Sequence, residues 1–88
     1  MYNYEALENK LNAVLSLLEP VLSEAELAEV RHFIEVAEYG EAFDTLCAIL
    51  DEEQAPISLD VYRIIEGLAS QMKYEQHSWE HLRKLLKE

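Results

Sequence analysis

The stretch SEAELAEVRHFIEVAEYGEAFDTLCAIL, residues 23–50, decides the fold. It opens on Ser23-Glu24-Ala25-Glu26, a capping box in which the serine hydroxyl and the Glu26 carboxylate each satisfy the other's exposed backbone amide. Leu27, Val30, Phe33, Ile34 and Ala37 then recur at helical spacing. Gly40 stands where a left-handed residue is expected to stop that helix. Phe43, Leu46, Cys47 and Leu50 resume the same period after almost no loop. Two helices so closely joined make an αα-hairpin.

Helical periodicity continues on both sides. A first helix is expected from Tyr4 to about Leu18, with Leu7, Leu11, Val14, Leu15 and Leu18 on one face and Pro20 ending it. The third runs from Glu41 to about Gln54 and is closed by Pro56. Ser58 caps a fourth, from Leu59 to about Met72, whose stripe is Val61, Tyr62, Ile65, Leu68 and Ala69. After a polar break at Lys73–His77, Ser78 is expected to cap a short last helix carrying Trp79, Leu82, Leu85 and Leu86. Two Gly and two Pro leave little material for hairpins of strand, and half of the 88 residues are apolar. The expected fold is all-α: residues 1–88 as a single domain, a compact bundle of four to five helices around the central αα-hairpin.

Charge is distributed very unevenly. Between Glu19 and Asp60 there are twelve acidic residues and one base, Arg31, which accounts for the whole net charge of −11. The flanks carry six acids and six bases and cancel. A single-sign field opposes compaction by self-repulsion and speeds encounter with a basic partner. Nucleic acid and anionic membranes are disfavoured as partners, because phosphates call for Lys and Arg.

Helical geometry lines carboxylates along one edge of each hairpin helix. The turn at Gly40 is expected to gather Glu35, Glu38, Glu41 and Asp44 around Tyr39, with Asp51 and Glu52 extending the surface along the third helix. These seven residues are the candidate partner-binding set. A solvated face that keeps a small protein soluble is the competing account. Segregation of the charge favours binding, because a generic soluble surface intersperses its signs.

Other chemistries find little support. His77 and His81 stand four apart, a metal-binding interval, but a helix start is expected between them and no third ligand lies nearby. Cys47 falls on an apolar stripe, where a thiol packs as a small hydrophobe. Asp51-Glu52-Glu53 lacks the spacing of a calcium loop. No Ser/His/Asp grouping, Gly-rich phosphate loop or paired catalytic carboxylates can be assembled, so neither an enzyme nor a cofactor is expected. Residues 1–5 carry no signal-peptide pattern, no apolar run approaches a membrane span, and one cysteine fits a reducing compartment. A cytoplasmic protein is the expectation.

The run Phe33-Ile34, Glu38-Tyr39-Gly40-Glu41-Ala42-Phe43-Asp44-Thr45-Leu46-Cys47-Ala48-Ile49-Leu50, then Pro56-Ile57-Ser58, Tyr62, Ile65 and Trp79, resembles the small immunity proteins of bacterial polymorphic toxin systems. The likeness is to the Maf-type and related contact-dependent growth inhibition immunity proteins, and it covers the last two-thirds of the chain. It implies a bacterial protein that neutralises a cognate toxin domain, commonly a nuclease of the EndoU or ribonuclease type, without catalytic residues of its own. It assigns no contact residues. A basic nuclease cleft is the partner an acidic surface would fit, with the protein a monomer in the complex. An acidic nucleic-acid mimic and a helical adaptor acting on a host protein are the alternatives.

Overall fold

The structure, a computed structural model, describes residues 4–87, the His77 side chain excepted. Residues 1–3, on which the reading of the N-terminus partly rests, and the His77 ring of the His77/His81 pair lie outside the described residues. Helix α1 spans Tyr4–Leu17, α2 Glu24–Glu35, α3 Tyr39–Glu53 and α4 Leu59–Gln71. Two 3₁₀ segments, Gln76–Ser78 and Glu80–Leu85, complete the described chain. Among the described residues there is no strand, only an isolated parallel bridge between Ile57 and Leu86. The protein is an all-α bundle.

The start signals of α2 and α4 behave as the sequence predicts. Ser23 Oγ accepts from the Glu26 amide at 3.1 Å while Glu26 Oε1 accepts from the Ser23 amide at 2.9 Å, so both halves of the capping box are formed. Ser58 Oγ accepts from the Val61 amide at 3.1 Å and starts α4.

Helices α1, α3 and α4 end within a residue of expectation, but the stop signal expected for α2 differs. Gly40 does not end α2: it lies in the first turn of α3, and no described glycine has positive φ. The left-handed residue is Ala37, with φ 60°. Its amide bonds the Ile34 carbonyl at 3.0 Å, and the Glu38 amide reaches back to Phe33 at 2.8 Å, which together make a Schellman ending. Ala37 is therefore exposed at the turn instead of sitting on the core stripe. Gly40 has a different reason to be small. The Tyr74 hydroxyl donates to its carbonyl at 3.2 Å, and a β-carbon there would stand 3.3 Å from that oxygen.

The C-terminal segment also departs from the expected capped helix. Ser78 closes the first 3₁₀ turn and caps nothing; Trp79, at φ −134°, stands between the two turns. That non-helical φ interrupts the helical ladder, and the chain resumes with the Leu82 amide bonded to the Trp79 carbonyl, three residues back. The interruption accompanies burial of the Trp79 ring against Tyr62, centroids 5.7 Å apart. Ile57 then donates its amide to the Leu85 carbonyl at 3.0 Å and accepts from the Lys87 amide at 2.8 Å, which ties residues 85–87 to the α3–α4 connection.

Helix α2 packs most extensively on α3, and α1 on α4, with α1 also touching both hairpin helices and the second 3₁₀ segment resting on α3. One core results. Leu11, Val14 and Leu15 of α1 meet Val30 of α2, Phe43, Leu46 and Leu50 of α3, and Ile65 and Leu68 of α4, all fully buried. Each such side chain contributes about 1.5–3 kcal/mol relative to exposure. No buried residue of the described set is charged. The described acidic residues are therefore all exposed or half-buried.

Candidate functional site

Because α2 ends at Glu35 and α3 begins at Tyr39, the turn places Glu38 at the α3 N-cap and Glu41 in its first turn. Asp44 follows Glu41 at i+3, on the same helix edge. The three carboxylates rim a cleft of about 500 Å³. Its other sides come from distant sequence. Tyr4 and Leu7 arrive from the start of α1, and Met72 and Tyr74 from the end of α4. Among the described residues, no Lys, Arg or His lines it.

The aromatic members are held in place. Tyr39 is half-buried, stacks on Tyr4 with centroids 5.9 Å apart, and donates its hydroxyl to Glu8 Oε2 at 3.0 Å. That acceptor pushes the Tyr39 phenol above its ordinary value. Tyr74 packs against Phe43 at 4.8 Å and donates to the Gly40 carbonyl. Burial, and then the Asp44 charge, pushes the Tyr74 phenol up to about 12. Both rings are neutral and fixed at physiological pH.

Glu38 makes no side-chain capping bond to α3. Its charge and that of Glu41 nevertheless stand at the positive end of the α3 dipole, which favours each by about 0.3–1 kcal/mol. Part of the clustering is thus explained by helix electrostatics. Asp44 lies beyond the first turn and gains little from the dipole. Among the described residues, no ion pair engages Glu38, Glu41 or Asp44.

The remaining candidates lie apart. Glu35 lines a separate depression with Glu8, Asn12, Arg31 and Ile34. Asp51 is seven residues beyond Asp44, roughly 10 Å along α3. Lys84 Nζ stands 3.1 Å from Asp51 Oδ1, an oxygen otherwise closed off from solvent, so this carboxylate ties α3 to the second 3₁₀ segment. Glu52 is exposed near the end of α3. Arg31, the one base of the acidic block, pairs with Glu19 at 3.4 Å. The structure therefore brings together Glu38, Tyr39, Glu41 and Asp44, and leaves Glu35, Asp51 and Glu52 outside the cleft.

Sequence reasoning did not find Tyr4, Met72 and Tyr74. Tyr74, a lone aromatic inside the polar break, was the available signal. Cys47 is buried, and burial followed by the Asp44 charge pushes its thiol up to about 12, which removes it as a nucleophile at neutral pH. Among the described residues no group of three or more His, Cys, Asp and Glu is placed to hold a metal, and no helix is long and apolar enough to cross a membrane. Set against known protein families, curated proteins and solved structures, the chain matches none.

Proposed function

We propose that this protein is a non-catalytic inhibitor of the immunity type, which binds a basic toxin domain, a nuclease by preference, through the acid-rimmed cleft at the α2–α3 turn. The observation that carries the reading is the cleft itself: three carboxylates outside any described ion pair around fixed aromatic rings, with no base lining it. Rim carboxylates steer a basic partner and raise the association rate, while aromatic surface beneath them slows dissociation. Glu38, Tyr39, Glu41 and Asp44 form the centre of the proposed contact; Glu35, Asp51 and Glu52 are flanking charge. The extents of 35 × 27 × 18 Å are those of a squat bundle, which suits one compact partner better than the elongated track of a nucleic-acid mimic. The resemblance to toxin-system immunity proteins points the same way.

The test begins with the neighbouring gene. A toxin domain encoded immediately upstream should arrest growth when expressed alone, and coexpression of this chain should restore it. With both proteins purified, Glu38→Lys/Glu41→Lys should slow association about tenfold and flatten its salt dependence, leaving dissociation less affected. Failure to rescue growth, or tight binding of the chain to DNA or RNA at moderate salt, overturns the proposal.

A further inference from the structure

We propose that the cleft receives an arginine side chain of the protein partner, its guanidinium against the Tyr39 and Tyr74 rings and within reach of the Glu41 and Asp44 carboxylates; this rests on the protein-binding reading above. Every charged residue lining the cleft is acidic, so its occupant is a cation. An apolar occupant would strip water from those carboxylates without replacing their hydrogen bonds, and an anion would be repelled.

The tyrosines narrow the choice among cations. Both hydroxyls already donate elsewhere, to Glu8 Oε2 and to the Gly40 carbonyl, so what each phenol offers a ligand is its ring and the lone pairs of its oxygen, both of which suit a cation that carries N–H donors. A guanidinium is flat and weakly hydrated. It stacks on aromatic rings and presents a fork of N–H donors that matches carboxylates one helical turn apart. A lysine ammonium is a strongly hydrated point charge and loses more on leaving water. Met72 and Leu7 complete the lining and match the methylene stem of a long side chain. Arginine is also the charged residue most often found as a buried anchor at protein interfaces.

Nα-acetyl-arginine amide is the probe, titrated into the full-length isotope-labelled chain and followed by amide chemical shifts. Saturable shifts confined to residues 38–44 and 72–74 are expected. Nα-acetyl-lysine amide should bind about threefold or more weakly, and the neutral citrulline analogue should give no saturable shift. Asp44→Asn, a change at an exposed position, should weaken arginine binding about threefold or more while preserving the dispersion of the spectrum. Equal binding of all three probes, or shifts spread along the whole acidic surface of α2 and α3, overturns the arginine site. If growth rescue succeeds while the shifts are diffuse, the partner is right and the anchor wrong. Localised shifts without rescue retain the arginine site and remove the toxin.

Discussion

Ala37 carries a β-carbon at φ 60°, while three residues later Gly40 occupies ordinary helical backbone. A left-handed conformation costs a non-glycine residue about 1–2 kcal/mol. Glycine at position 37 would remove that strain but enlarge the unfolded ensemble, an offset of about 0.4–1 kcal/mol. Ala37→Gly is therefore expected to stabilise the protein by about 0.5–1 kcal/mol, read as a higher urea midpoint at unchanged slope. Gly40→Ala should gain less than the roughly 1 kcal/mol that helix propensity alone offers, because the new methyl forces the Tyr74 hydroxyl to retreat from its 3.3 Å approach. A lower midpoint for Ala37→Gly would mean that position 37 is not strained. The glycine marked the right turn for the wrong reason. Its smallness serves a tyrosine that arrives from the far end of α4.

At the scale of elements, three helices end alike. Ala37, Gln54 and Lys73 all have positive φ, and in each case the following amide bonds back five residues: Glu38 to Phe33, Ala55 to Leu50, Tyr74 to Ala69. None of these endings uses glycine; Pro56 and the polar break after Met72 still placed the ends of α3 and α4 to within a residue, and only the glycine stop expected for α2 was misplaced. The starts of α2 and α4 were legible because a Ser hydroxyl has a defined acceptor role; the left-handed residues that close the helices were not, because backbone bonds can hold a strained residue of any type. The last segment was misread for a related reason. Trp79 and Leu82 have helical spacing, but the non-helical φ of −134° at Trp79 breaks the ladder. The hairpin contains one more feature at its open end, where Glu26 in the first turn of α2 meets Glu53 in the last turn of α3. The Ser23 amide holds Glu26 below its ordinary value of 4.5, whereas the hydrogen bond shared with Glu26 and the Glu26 charge hold Glu53 above it. Glu53 thus binds its proton more tightly folded than unfolded; its contribution is complete below pH 4.5 and is lost as pH rises through the raised value. Glu26 contributes above pH 4.5 and loses its contribution as pH falls. Glu53→Gln keeps a donor for Glu26 and deletes the repulsion. It should raise the Tm at pH 7 and leave it unchanged near pH 3.5. An equal rise at both values would show that the two carboxylates do not interact.

At the scale of the whole molecule, the acidic block was legible as a quantity and only partly as a place. Counting located the charge on the hairpin, and helical spacing brought Glu38, Glu41 and Asp44 together around Tyr39. Counting could not reveal that Lys84 would engage Asp51, or that Tyr4, Met72 and Tyr74 would close the cleft, because those contacts join α1, α4 and the second 3₁₀ segment to α3. The charge itself has a consequence for folding. The radius of gyration is 11.8 Å, comparable with the Debye length of about 10 Å at 0.1 M salt and well below the roughly 30 Å at 0.01 M. In dilute salt every carboxylate of the block therefore acts on the others across the bundle. Salt also weakens the Arg31–Glu19 and Lys84–Asp51 pairs, but exposed pairs of this kind are worth at most about 1 kcal/mol each. Twelve acids against one base make repulsion the larger effect. The Tm is therefore expected to rise as NaCl increases from about 0.01 to 0.3 M, while the rate of association with a basic partner falls over the same range. The opposite signs matter: a surface that destabilises its own fold and speeds capture is one whose charge folding alone does not require. A Tm that is flat or falls with salt would show that the carboxylates are solvated independently. The acidic hairpin would then be a soluble face and no more.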